Sequence, residues 1–258
     1  MYINRQFVDS FDNDCAFLKD YSVESVFIDR ILSSECVKNR ASVLDVACGT
    51  GSHIVNLAQM GHDCAALDIN PDMLRITLEK ASSCNVNVDT YLEDMSNFCL
   101  PRRFTAAINM FYSFQDCLHT DKMQIDCLVS INNNLEPGGI LVMEFLPEEN
   151  NLENYPPGRE FEIFRKHQDD GTTMVLTSCN KIIDDSIKRI TFCYQWMRDG
   201  DLYKREEKSF HIKRLFLKDI DRLFRDCGFD IINRYGGYSV DCRFSKASNK
   251  MISVFRKV

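Results

Sequence analysis

Residues 43–53, VLDVACGTGSH, decide the fold when read together with residues 66–69, ALDI, which bring in Asp68. The apolar run VLDV enters a glycine-bearing turn, CGTG, which opens a helix-like stretch, SHIVNLAQM. Seventeen residues past Gly51, a second apolar run, CAALDI, carries an acid near its end. Strand, tight turn, helix and acid-tipped strand are the parts of a βαβ nucleotide site. The glycines let backbone approach a ligand, and the acid can accept both hydroxyls of a ribose. The glycine spacing then separates the candidates. A dinucleotide fingerprint needs a third glycine, but Ala47, Gly49 and Gly51 alternate and His53-Ile54 follow. No G-x-x-x-x-G-K-[ST] loop occurs, so an adenosine ligand without phosphates is the remaining reading.

Working outward, apolar runs alternate with helical periodicity. Strands are expected at 42–46, 63–69, 87–91, 104–111 and 140–146. Helices are expected at 7–32, 52–60, from Asn70-Pro71 to Lys80, and at 121–135 before Pro137-Gly138-Gly139. In the first of these, Phe17, Tyr21, Val26 and Ile28 or Ile31 fall near one face. Beyond Leu146 the pattern changes. PEENNLENYPPGRE reads as a polar loop or lid, and three strands follow at about 172–183, 187–198 and 202–215 with hairpin-like breaks between them. A helix, LKDIDRLFRDC, and two strands, FDIINRY and MISVFRKV, close the chain. The fold expected is α/β: a Rossmann-like, mostly parallel seven-stranded sheet flanked by helices, with a small antiparallel β insertion. The division expected is a ligand-binding core over 1–146, a lid and insertion over 147–215, and the rest of the core over 216–258.

Composition narrows the partners. The 258 residues carry a net charge of −7, which favours no polyanion. The basic residues between Lys204 and Lys218 alternate with acids and apolar residues, as on a solvated strand face. No apolar run reaches transmembrane length and the N-terminus lacks a leader-like core, so a cytoplasmic protein is expected. Twelve cysteines include no C-x-x-C pair, and Cys48, Cys64 and Cys193 lie in apolar runs. Reduced, packed thiols are expected, with no metal site.

The segment from Asp45 through Ala47, Cys48, Gly49 and Thr50 to Gly51 resembles the first motif of class I S-adenosylmethionine-dependent methyltransferases, with Ala47 in place of the first glycine. That resemblance implies S-adenosylmethionine as cofactor and S-adenosylhomocysteine as product. It places Asp45, Ala47, Gly49, Gly51 and Asp68 at the cofactor, Ile69 and Met73 as an apolar wall, Asp94-Met95 as an adenine clamp, and Met110 as a backbone contact. MFYSFQDCL (110–118), LEPGGILVMEF (135–145) and the stretch 206–238 resemble small-molecule N-methyltransferases of the deoxysugar-amine type. The likeness runs in order from Lys19-Asp20-Tyr21 to Tyr238. It implies in-line methyl transfer to an amine nitrogen of a small-molecule acceptor, with no nucleic acid and no membrane, and leaves a homodimer open.

Where those enzymes often carry a tyrosine or histidine facing the acceptor, this chain has Asp116 or Cys117, with His119 close behind. An amine must lose its proton before it attacks, so Asp116 and His119 are candidate catalytic groups. His211 is a third. Strand alternation groups it with Lys213 and Leu215, so it reaches the acceptor if the odd-numbered face looks into the cleft. Tyr21 and Phe11 are candidates to close over the cofactor, and Trp196 reads as packing. Two rivals remain: an O- or C-methyltransferase with the same cofactor site, and a non-catalytic cofactor-binding partner subunit.

Overall fold

The computed structural model describes Val8, Phe11, Asp12, Cys15 and residues 18–36, 40–168 and 170–258. Among the described residues, eleven strands form two sheets. The larger has β1 (Ser42–Val46), β2 (Asp63–Asp68), β3 (Val88–Leu92), β4 (Phe104–Asn109), β5 (Leu135–Phe145), β10 (Phe229–Tyr235) and β11 (Met251–Lys257) in the order 10-11-5-4-1-2-3. β1 to β5 run parallel, and β11 is antiparallel to both β5 and β10. This is the expected seven-stranded Rossmann-like sheet. Strand order reverses between β1 and β4, so a crevice opens beyond their carboxyl ends, where open α/β sheets take their ligands.

The central strands are apolar on both faces because helices cover both. Leu44, Val46 and Ala107 join Phe114, Phe145, Phe224 and Phe255 on one side. Val43, Ile108 and Val142 join Phe27, Ile28 and Ile54 on the other. Alternate residues of one strand thus feed two cores, and the period-two signal disappears into a continuous apolar run.

Helix α1 (Tyr21–Glu35) is shorter than the 7–32 reading. Val8, Phe11, Asp12 and Cys15 are helical, but Lys19 and Asp20 are not. Asp20 caps α1 instead, accepting from the backbone N–H of Ser22 and Val23. Phe17 lies outside the described residues. Val26 is 42% exposed, because the buried stripe is Glu24, Ser25, Phe27, Ile28, Ile31 and Leu32. Then come α2 (Ser52–Gln59), α3 (Pro71–Ser83), α4 (Ser113–Cys117) and α5 (Asp121–Asn134). The one-turn α4 was not expected. β5 begins at Leu135, before Pro137-Gly138-Gly139, and a register shift between Phe104 and Ala106 absorbs the irregularity.

The expected 147–160 loop is part helix: α6 spans Glu148–Asn154. Four strands follow, not three, forming the antiparallel sheet β6 (Glu160–His167), β7 (Thr172–Ile182), β8 (Ile187–Arg198) and β9 (Asp201–Lys213). Its even-numbered face is covered: Met174, Leu176 and Tyr194 cluster with Leu18, Phe192 and Trp196. Trp196 is therefore a packing residue, as expected. Helix α7 (Leu217–Asp226) buries Ile220 and Phe224 and leads into β10. Among the described residues no helix is long and apolar enough to cross a membrane.

Candidate active site

The turn after β1 is left-handed at alternate residues: φ is +59° at Ala47, +56° at Gly49 and +73° at Gly51. Gly51 caps α2, and a Cβ on it would stand 2.4 Å from Thr77 Cγ2, so only glycine fits there. Asp68, at the end of β2, holds this turn. Its Oδ2 accepts the Gly49 N–H at 2.9 Å and its Oδ1 accepts the Asn70 N–H at 2.9 Å. Burial pushes the Asp68 carboxyl up from its usual range, against these backbone hydrogen bonds. Each oxygen keeps acceptor capacity for a further donor.

Asp45 is 2% exposed, and its Oδ2 has no hydrogen-bond partner among the described residues. Burial first, and the charge of Asp68 second, push its carboxyl well up. Such an orphaned acceptor beside a second carboxylate is a place for a cation or a donor.

The other residues that the resemblance assigns to the cofactor follow the C-terminal ends of β2, β3 and β4. Ile69 is 65% exposed just beyond Asp68, while Met73 is buried in α3. Asp94 is exposed after β3, with Oδ1 accepting the Ser96 N–H, and Met95 is buried beside it. Met110 is buried at the end of β4. Asn109 ties that end to β1 by donating to Val46 O at 2.7 Å. Phe11 lies 3.8 Å from where a Gly49 Cβ would be, so it reaches the glycine turn. Thr50 donates to Asp12 at 2.6 Å, and Lys80 pairs with Asp12 at 2.6 Å. The Tyr21 ring packs edge-on against His53, and its hydroxyl hydrogen-bonds to Cys15 and feels the charge of Asp12.

Across the crevice, Asp116, His119 and His211 come together although they lie on α4, the loop after it, and β9. His119 Nε2 donates to the His211 carbonyl at 2.9 Å. Burial raises the Asp116 carboxyl to about 6, against the opposing pull of His119 and His211. The odd-numbered end of β9 thus meets the α4–α5 connection, and Lys213 on the same side pairs with Asp121 at 2.8 Å. Cys117 is exposed at the end of α4, and desolvation by the surrounding protein, then Asp116, push its thiol up to about 12. Gln115 fixes the arrangement: it donates to Leu146 O at 3.1 Å and Lys213 O at 2.9 Å, and accepts from Leu146 N at 2.8 Å.

Two buried ionic groups were missed by sequence reasoning. One is Glu148 with Lys188 at 2.7 Å and Arg214 at 2.8 Å, which pins β8 and β9 to α6. The other joins Lys19, Glu24, Glu144 and Tyr238: Lys19 Nζ is 2.7 Å from Glu24, 2.9 Å from Glu144 and 2.7 Å from Tyr238 Oη. The available signal was Glu144 itself, a lone carboxylate inside the apolar run ILVMEFL.

Residues 43–139 match the family model described as a methyltransferase domain. The chain is 32% identical over 126 residues to a dTDP-3-amino-3,4,6-trideoxy-alpha-D-glucopyranose N,N-dimethyltransferase of Streptomyces venezuelae, covering 49% of this chain and 51% of that one. It is 33% identical over 145 residues to a dTDP-3-amino-3,6-dideoxy-alpha-D-glucopyranose N,N-dimethyltransferase of Streptomyces fradiae, covering 54% and 51%. The matches thus span about half the length of these two curated relatives. Among solved structures, an S-adenosylmethionine-dependent methyltransferase from Clostridium acetobutylicum ATCC 824 superposes with a TM-score of 0.77 at 19% identity, over 98% of each chain, and shares the fold.

Proposed function

We propose that this chain transfers a methyl group from S-adenosylmethionine to the amine nitrogen of a small molecule, with an aminodeoxysugar as the acceptor class. One observation supports the reading: two buried carboxylates, Asp45 and Asp68, flank a left-handed glycine turn at the C-terminal ends of β1 and β2, and the short helix that follows β4 at the same edge carries a carboxyl that burial raises to about 6. The names of the two Streptomyces relatives support the acceptor class.

The donor-side residues suit the cofactor. Asp68 has acceptor capacity for ribose hydroxyls, and the orphaned Asp45 oxygen suits a donor from the cationic amino-acid end. Ile69, Met73, Asp94, Met95 and Met110 complete its surroundings. When bound, S-adenosylmethionine supplies an electrophilic methyl on a sulfonium. Asp116 then serves as the base that takes the proton from the incoming ammonium. A carboxyl near 6 is ionised at neutral pH yet more basic than an ordinary aspartate. His119 and His211 keep it charged, and the segment 147–215 acts as the acceptor-side lid. Positioning provides much of the rest, because the displacement needs nitrogen and sulfur in line with the methyl.

The twelve cysteines, with no C-x-x-C pair among them, suit a reducing, cytoplasmic setting. A homodimer is part of the same proposal and is checked by light scattering. The central test is calorimetry with S-adenosylmethionine, followed by product mass after incubation with a panel of aminosugars. Binding and a methyl mass increment on nitrogen are expected. Absence of cofactor binding would falsify the reading, and methylation of oxygen or carbon would overturn the acceptor assignment.

A further inference from the structure

We infer that Glu144 is a positioning residue for methyl transfer: its buried carboxylate holds Phe111–Tyr112 as a left-handed turn and so sets Met110 against the short helix that carries Asp116. The inference rests on the proposed function for its kinetic consequence, and on geometry alone for the turn.

Phe111 and Tyr112 have φ of +57° and +61°, two consecutive left-handed residues that both carry a Cβ. Neither is favourable alone, and such a pair persists only where its surroundings over-determine it. Glu144 provides the restraint. Its Oε2 accepts the Phe111 N–H at 2.8 Å, and the Tyr112 hydroxyl lies beside the same carboxylate, pushed up by burial and then by that charge. The next inward-tied position of the chain, Leu146, grips Gln115 through both its N–H and its carbonyl. The end of β5 therefore holds the 111–115 segment at each end, with Met110 just before it and Asp116 just after.

The carboxylate is itself held in its charged form. Burial would raise it, but Lys19 and Lys250, with hydrogen bonds from Lys19 and Tyr238, outweigh that and keep it well below the usual carboxylate range. Lys19 Nζ stands 2.9 Å from Oε2 and Lys250 Nζ 3.3 Å from Oε1. Lys19 also lies over the Phe111 ring at 4.9 Å, so the turn is gripped from its side chain as well as its backbone. A leucine in a strand reading ILVMEFL would pack there without needing any of these partners. Buried ion clusters gain little stability over apolar packing, so stability alone does not account for the acid. Shaping the turn does.

The test uses the full chain and two variants. Glu144→Gln keeps the size and removes the charge, and Lys19 retains Glu24 as a partner, so the fold is expected to survive. Tyr112→Phe removes only the hydroxyl and serves as the second probe. Amide hydrogen exchange, read by mass spectrometry without any ligand, is expected to speed up at least tenfold across 110–117 in Glu144→Gln and to stay unchanged across 43–53. With an aminosugar acceptor, kcat is expected to fall by ten- to a hundredfold while the KM for S-adenosylmethionine stays within twofold. Tyr112→Phe should lose three- to tenfold, and the double variant should be no worse than Glu144→Gln, since both act through one turn. Unchanged exchange across 110–117 overturns the inference whether or not the wild type methylates anything. Loosened exchange with kcat and KM equal to wild type overturns the kinetic half. A wild type that binds cofactor but turns over no acceptor overturns the functional reading instead, and the exchange result still decides the turn.

Discussion

The hydrogen bond that closes the donor end of the crevice, from Gly49 to Asp68, spans 19 residues, whereas the one at the opposite end, from His119 to His211, spans 92. The donor end is one βαβ unit, and its geometry comes from backbone: three left-handed residues, a helix cap and a strand-end acid. The opposite end exists only because the antiparallel sheet docks on α4 and α6. Its carboxyl is tuned by groups that no local pattern places there. Local chain builds the end at which we propose the cofactor, and long-range packing builds the end at which we propose the acceptor.

The strongest way to break this contrast is to undock the insertion. Glu148→Ala leaves Lys188 and Arg214 without their shared buried partner, and breaking such a group costs roughly 3–5 kcal/mol. Chemical denaturation should show that loss, with acceptor turnover abolished, while the surviving folded protein still binds cofactor by calorimetry. Equal loss of cofactor affinity would erase the distinction between the two ends.

The converse variant strikes the donor end. Asp68→Ala removes a charged acceptor for two hydroxyls and also the Gly49 tie, so affinity for S-adenosylmethionine should weaken by about 3 kcal/mol, a little over a hundredfold. Thermal melting should change much less. Retained affinity in calorimetry would remove Asp68 from the site.

Next comes the titration of Asp116. Wild-type turnover should fall as pH drops through about 6, because the base becomes protonated. Asp116→Asn should lower kcat by about a hundredfold, at the modest end of general-base effects, and flatten that limb. The same carboxyl leaves a mark on stability of opposite sign to an ion-paired aspartate. Its folded pKa lies above the ordinary aspartate value of about 3.9, so the folded state holds the proton more tightly. Stability contributed by this group is present at low pH and is lost as pH rises through about 4 to 6, and Asp116→Asn should abolish the trend in denaturation midpoints.

The smallest effect belongs to His119→Ala, which removes one hydrogen bond to the His211 carbonyl. About 1 kcal/mol, or roughly fivefold in kcat/KM, is expected. A far larger loss would make His119 the base in place of Asp116.

Much of the sheet was legible because its central strands are apolar on both faces and are separated by glycine, proline and helical periodicity. The lapses share a different cause. Glu148, Asn150 and Asn151 read as loop residues, yet all three are buried: Lys188, Arg214 and Asn180 satisfy Glu148 and Asn151, and Asn150 donates to the carbonyls of Ser245, Lys246 and Ser248. β6 is largely exposed and charged, and only pairing with β7 makes it a strand. Val26 was placed inward because helical periodicity gives the stripe but not its angle, and the angle was set by which face of α1 met α2. Among site residues, the glycine turn and Asp68 were read from spacing, and the other donor-side positions came from the family resemblance. Asp116, His119 and His211 were named one at a time, with no signal that they would meet, and Lys19 and Tyr238 were noticed only as the ends of a resemblance before they proved to touch.

The sequence alone determined the glycine turn, the acid that holds it and the alternation that makes a parallel sheet. Those depend on backbone freedom and on periodicity within a few dozen residues. Tertiary structure alone decided which charges are buried together, which carboxyl is raised and which is held down, and which face of β9 meets α4. Those are set by desolvation and by partners distant in the chain, and a single sequence carries no record of who the partner is.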